Sequence, residues 1–250
     1  MATPAKNPET VYQDALVDYL ISMARTVENN VNRAIEALRQ RNTQLASEVF
    51  LAEPRVNEME IVIDEHAVRL LRTGNLADTS IRFVVASLKV NNDLERMGDL
   101  AVNICQRVIS LAQMGDVEHP PELGPMSDAV RAMVSKSLGG LIYRNVELAR
   151  EVLESDDAVD RYRDIIFERL LAAMSQDATL AAPNLQFVLV SRYLERIADH
   201  TTNIAEDILF WLRGLDVRHG RGRTAEQQDE AAEKAVGGER FSEPGPADLH

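Results

Sequence analysis

With 250 residues, 45% of them hydrophobic, the chain can bury one large core or two moderate ones. Its formal net charge of −13 and pI near 4.9 argue against nucleic acid or an anionic membrane surface as the main partner, since both would repel it. The single cysteine, Cys105, excludes an internal disulfide, and no run of about 18 apolar residues is available to span a bilayer. The first ten residues, MATPAKNPET, lack the charged region and apolar core of a signal peptide, so a soluble cytoplasmic protein is expected.

Residues 1–7 read as a flexible leader. From residue 8 to about 41, Val17, Leu20, Ile21, Ala24, Val27, Val31, Ala34, Ile35 and Leu38 recur at three- and four-residue steps, the period of a long amphipathic helix. Asn42-Thr43 interrupts the pattern and can cap a second helix to about residue 73. Pro54 inside that helix removes an amide donor and predicts a kink or break near Glu53. Gly74-Asn75 is a stop signal, and a third helix runs from 78 or 79 to 113. Residues 114–125, with three prolines and two glycines, read as a linker. Three more helices follow at 126–143, 146–175 and 179–215. The polar stretch 216–250 is expected to be a disordered tail.

The halves repeat. Leu94-Glu95-Arg96-Met97-Gly98-Asp99-Leu100-Ala101-Val102-Asn103-Ile104 returns, without a gap, as Leu194-Glu195-Arg196-Ile197-Ala198-Asp199-His200-Thr201-Thr202-Asn203-Ile204. The earlier turn Arg41-Asn42-Thr43-Gln44-Leu45-Ala46 returns as Arg144-Asn145-Val146-Glu147-Leu148-Ala149. The expected fold is therefore all-α: six long helices with an internal repeat, arranged as two tandem three-helix bundles over 8–113 and 126–215.

Each copy of the later motif places Glu, Asp and Asn four residues apart on one side of a helix: Glu95, Asp99 and Asn103, then Glu195, Asp199 and Asn203, with Asp207 extending the second row. Apolar residues from Phe83 to Leu111 and from Phe187 to Leu215 form a packing seam on each helix. At about 100° per residue the acids fall roughly opposite that seam, outside the core. A solvated face would explain any one such pair. The duplicated spacing, and the absence of Lys or Arg where Asp99 and Asp199 stand, favour bound cations instead, because like charges at that spacing repel. Oxygen donors suit magnesium, manganese, calcium or iron better than a structural zinc site would. Glu60 and Asp64 on the second helix, and Asp156 and Asp160 on the fifth, can add ligands, although Arg163 stands opposite Glu60. His200 points away from Asp199 and reads as a supporting or surface histidine. Cys105 and Trp211 read as core, and the basic run Arg218-His219-Gly220-Arg221-Gly222-Arg223 as a solvated linker. There is no GxxxxGK[ST], GxSxG or HExxH motif, and no histidine follows a Glu by three residues, so no enzyme signature is present.

The paired Leu-Glu-Arg-x-x-Asp segments resemble the duplicated E(D)-x-x-x-D signatures of the PhoU family, the accessory proteins of phosphate-specific transport. The segments Asn57-Glu58-Met59-Glu60-Ile61-Val62-Ile63-Asp64-Glu65 and Trp211-Leu212-Arg213-Gly214-Leu215-Asp216-Val217-Arg218-His219 are similar to the family's second helix and the end of its last. The resemblance covers about residues 8–220. It implies two three-helix bundles with metal (magnesium, manganese, iron or zinc) on the acid rows, Glu95, Asp99, Glu195 and Asp199 being the positions it carries over. It also implies negative regulation of phosphate uptake and of phosphate-starvation signalling. The partners implied are the ATPase subunit of a phosphate ABC transporter and a phosphate-sensing histidine kinase, with only peripheral contact with membrane complexes; a homodimer is expected. Two other readings use the same residues: a metal-dependent hydrolase, and a metal-free helical scaffold.

Overall fold

The computed structural model describes residues 8–74, 76–115, 117–217 and 223–224. The leader and most of the tail lie outside these. Long helices form where the periodicity places them: α1 Pro8–Gln40, α2 Thr43–Leu71, α3 Asp78–Ala112, α4 Leu123–Tyr143, α5 Val146–Leu153, α6 Asp156–Gln176 and, after a 3-10 turn at Ala178–Leu180, α7 Ala181–Arg213.

The repeat is visible in individual bonds. Arg41 and Arg144 both close a helix in the left-handed region, at φ of 50° and 51°. The next amide, of Asn42 or Asn145, reaches back to the carbonyl of Ala37 or Gly140 at 2.9 Å in each case. The same two asparagines then cap the following helix. Asn42 Oδ1 accepts from the amides of Gln44 and Leu45, and Asn145 Oδ1 from those of Glu147 and Leu148, filling donors that a helix start leaves open.

Four expectations change. α2 runs through Pro54 without interruption. The break occurs instead in the second copy, between Leu153 and Asp156, so the single helix expected over 146–175 is two. There Ser155 Oγ turns back onto the Glu151 carbonyl, and Asp156 and Asp157 open α6 next to its positive end. The linker is also shorter and less free than its composition implied. Leu123 already begins α4, Pro120 is buried, and His119 accepts from Arg41 Nε at 3.2 Å while its ring meets Phe187 edge-on. The last helix stops at Arg213 rather than 215, and Leu215–Asp216 pairs antiparallel with Arg223–Thr224 of the tail, where no order was expected.

α1, α2 and α3 pack as one bundle and α4 to α7 as the other. The bundles join mainly along α3 and α7, with α1 meeting α4. The two central helices run antiparallel, because Lys89 meets Asp207 while Arg107, further along α3, meets Gln186 near the start of α7. Leu94, Met97, Ala101, Ile104, Leu194, Ile197, Ile204 and Ile208 fill a continuous core across this join. Trp211 meets Phe83 of the other bundle with its ring tilted by 44° and centroids 4.9 Å apart, and the Arg144 guanidinium lies 5.4 Å from the Trp211 ring. Among the described residues no helix is long and apolar enough to cross a membrane.

Candidate functional site

The acid rows are only partly solvated: the Glu of each is largely covered, while the Asp99 side chain is 40% exposed and Asp199 is exposed. α3 packs against α1, α2 and α7, and α7 against α3 to α6, which covers part of each row. Glu195 is 8% exposed and the Glu95 side chain 15%.

In the first bundle Glu95 and Asp99 stand one turn apart on α3 and face Glu60 from α2. Burial raises the Glu95 carboxyl above its ordinary range, with the charges of Asp99 and Glu60 adding to it against the pull of Arg96. Arg96 is the nearby cation, 3.3 Å from Glu95 Oε2 and 3.7 Å from Asp99 Oδ2, but its own side chain is half in solvent and Oε2 receives no hydrogen bond. Asp64, one turn beyond Glu60, is turned to α3. Its Oδ1 accepts from the buried Asn91 at 2.9 Å, and the Glu60 carbonyl accepts from the same amide. Asn103 is half-buried further along α3.

The second bundle gathers Asp156 and Asp160 from α6 beside Glu195 and Asp199 from α7. Burial first, then the neighbouring carboxylates, raise Asp199 and Asp156. Here the chain supplies its own cation. Arg163 places Nη1 2.7 Å from Glu195 Oε1 and 3.2 Å from Asp160 Oδ1, and Nη2 2.8 Å from Asp164 Oδ1. Arg192 adds a bond to Glu195 Oε1 at 3.1 Å.

Asn203 and Asp207 do not continue this row. A step of four residues turns about 400°, so each step drifts about 40° and Asp207 ends about 120° from Glu195. It is buried against α3, where its Oδ1 accepts from Lys89 Nζ at 2.9 Å. Asn203 Nδ2 donates to Asp93 Oδ1 at 3.3 Å, and His200 Nδ1 lies 2.8 Å from the same oxygen. Lys89, Asp93, Asn203 and Asp207 border a groove of about 430 Å³ between α3 and α7, lined also by Asn92 and Glu206. Asp93, 7% exposed, joins the two helices and was missed in the sequence because it falls outside the four-residue spacing. Cys105 is no nucleophile, since burial pushes its thiol up to about 12.

The donors of the first row suit a hard cation: carboxylate oxygens in mutual repulsion, screened by one half-exposed arginine. Among the described residues no three His, Cys, Asp or Glu side chains converge into a ready-made cage. A cation there would therefore keep water in part of its coordination shell. The second row offers the same oxygens with Arg163 already among them.

Comparison with known proteins places this geometry. A family profile described as the PhoU domain matches the chain twice, over residues 20–108 and 123–208. A relative from Pseudomonas putida named phosphate-specific transport system accessory protein PhoU homolog is 35% identical over 92% of this chain and 90% of its own length. Its namesake from Pseudomonas aeruginosa is 34% identical over 80% of this chain and 84% of its own. The crystal structure of PhoU from Pseudomonas aeruginosa superimposes with a TM-score of 0.80 at 31% identity, covering 82% of this chain and 99% of that one. The regulatory protein PhoU of Streptococcus pneumoniae, 21% identical, shares the fold with a TM-score of 0.76 over 84% of this chain and 99% of its own.

Proposed function

This chain belongs to the PhoU family, and on that premise we propose that it is a regulatory accessory protein of a phosphate-specific transport system, restraining phosphate uptake and starvation signalling. The observation that carries the reading is the twofold family match over the two bundles, with a half-buried acid pair on the central helix of the first. Its partners would be the transporter's ATPase subunit and a phosphate-sensing histidine kinase. Exposed apolar side chains on both bundles, Ile61 and Val68 on α2 with Phe167 and Leu171 on α6, support contact with protein surfaces, including a second copy of this chain.

A divalent or iron-type cation held by Glu95 and Asp99, with Glu60 beside them, would offset the burial and the repulsion that together keep Glu95 hard to ionise. Its part in this reading is to stiffen and neutralise the α2–α3 surface. No residue beside it is placed as a general base for hydrolysis, and the relatives' names describe accessory proteins.

The test pairs binding with physiology. Tagged protein should retain the transporter ATPase on an affinity column, and cells lacking the gene should take up labelled phosphate faster until it is restored. Glu95→Gln with Asp99→Asn should restore restraint only in part. Unchanged uptake in the deletion strain, together with no retained ATPase, would sink the proposal.

A further inference from the structure

We infer that the Arg163 guanidinium occupies the Glu195 end of the second acid row, so that the two copies of the repeat have divided into a row that calls for an external cation and a row whose most buried carboxylate is already paired within the chain. The external cation of the first row rests on the reading of Glu95 and Asp99 given above; the pairing of Glu195 in the second row rests on its own contacts.

Two aligned exchanges carry the inference. Where the first copy has Glu60, the second has Arg163, which reverses the charge at the position facing the acid pair. Where the first has Asn92, the second has Arg192. Both incoming guanidinium groups reach the same atom, Glu195 Oε1, at 2.7 and 3.1 Å. Arg163 is no surface decoration. Its side chain is 22% exposed and reaches carboxylates on two helices, the planar fork serving Glu195 and Asp160 through one nitrogen and Asp164 through the other. In the first bundle the equivalent space is faced by a carboxylate that deepens the repulsion on Glu95.

At Glu195 occupancy is then exclusive. A hard cation binds carboxylate oxygens at about 2.0–2.6 Å, inside the distances at which the guanidinium already sits, so metal could enter only by expelling a largely buried arginine and leaving its charge unpaired. The family pattern of an acid row in each half is kept in sequence, while in this chain one row has become an internal salt-bridge cluster.

The test uses the full chain, stripped with chelator, equilibrated with manganese chloride and gel-filtered, with manganese per chain counted by elemental analysis. Thermal unfolding is recorded with and without the metal. Wild type should hold about one ion, and Arg163→Glu, which restores the charge pattern of the first copy, about two. Without metal this variant should melt lower than wild type by on the order of 5 °C and recover when manganese is added. Glu60→Arg, the mirror exchange, should bring bound manganese close to zero. Should Arg163→Glu fail to fold, Arg163→Met removes only the charge, and it should show the same manganese-dependent recovery. Two ions in wild type, or no added metal in Arg163→Glu and no recovery in either variant, would overturn the inference. No metal in wild type with one gained in Arg163→Glu would leave it standing and remove the first-row reading alone.

Discussion

Gly98 and Ala198 occupy the same place in the two copies, between the Glu and the Asp of each row. Both are buried in helix interiors. A Cβ at Gly98 would meet the Val56 side chain at 3.4 Å, ordinary contact with a group that can yield slightly. Nothing there demands glycine, and its freedom in the unfolded chain is a cost. Gly98→Ala should therefore stabilise the protein by roughly 0.5–1 kcal/mol. Urea titration measures it, and a lowered midpoint would show that the α2–α3 packing is tighter than that contact implies. Single residues also mark where the sequence was opaque. Arg163 could be seen to stand where the first copy has Glu60, but a spacing argument cannot tell an arginine that leans into solvent from one that lies across three carboxylates.

At the scale of the element, the caps were legible because they are local: Asn42 and Asn145 bond to amides two and three residues ahead. The helices were legible for a similar reason, since their seams repeat every few residues. Burial of Glu95 and Glu195 was not, because it depends on which helices surround α3 and α7, and that is settled by contacts far apart in sequence. The same burial sets a pH dependence. Glu95, Asp156 and Asp199 are all raised in the fold, burial being the largest cause and neighbouring carboxylates the next. A raised carboxyl favours the fold while protonated, and that contribution is lost as pH climbs through the folded-state value. The chelated protein should thus melt at higher temperature as pH is lowered from neutral toward the ordinary carboxylate range. Glu36, held low by Gln40 and Arg131, acts in the opposite sense, but only as pH falls below that range. Glu95→Gln should flatten the rise. A melting temperature that falls steadily from neutral pH would contradict the assignment of Glu95 as a strained group.

Over the whole molecule, the repeat foretold two similar bundles but not how they meet. The join is asymmetric. Lys89 reaches Asp207 at one end of the α3–α7 contact, and Arg107 reaches Gln186 at the other. His119 ties the crossover segment to both bundles at once, to Arg41 and to Phe187. With one core running through the join, the halves have little independence.

The chain holds one tryptophan, and its indole lies where the end of α7 meets Phe83 of the first bundle and Arg144 of the second. That placement makes Trp211 an optical gauge of the docked state, since its emission depends on both neighbours and needs no added label. Its red shift on denaturation should coincide with the loss of helical circular dichroism in one transition. An emission change at lower denaturant than the helix signal would show that the bundles separate before either unfolds.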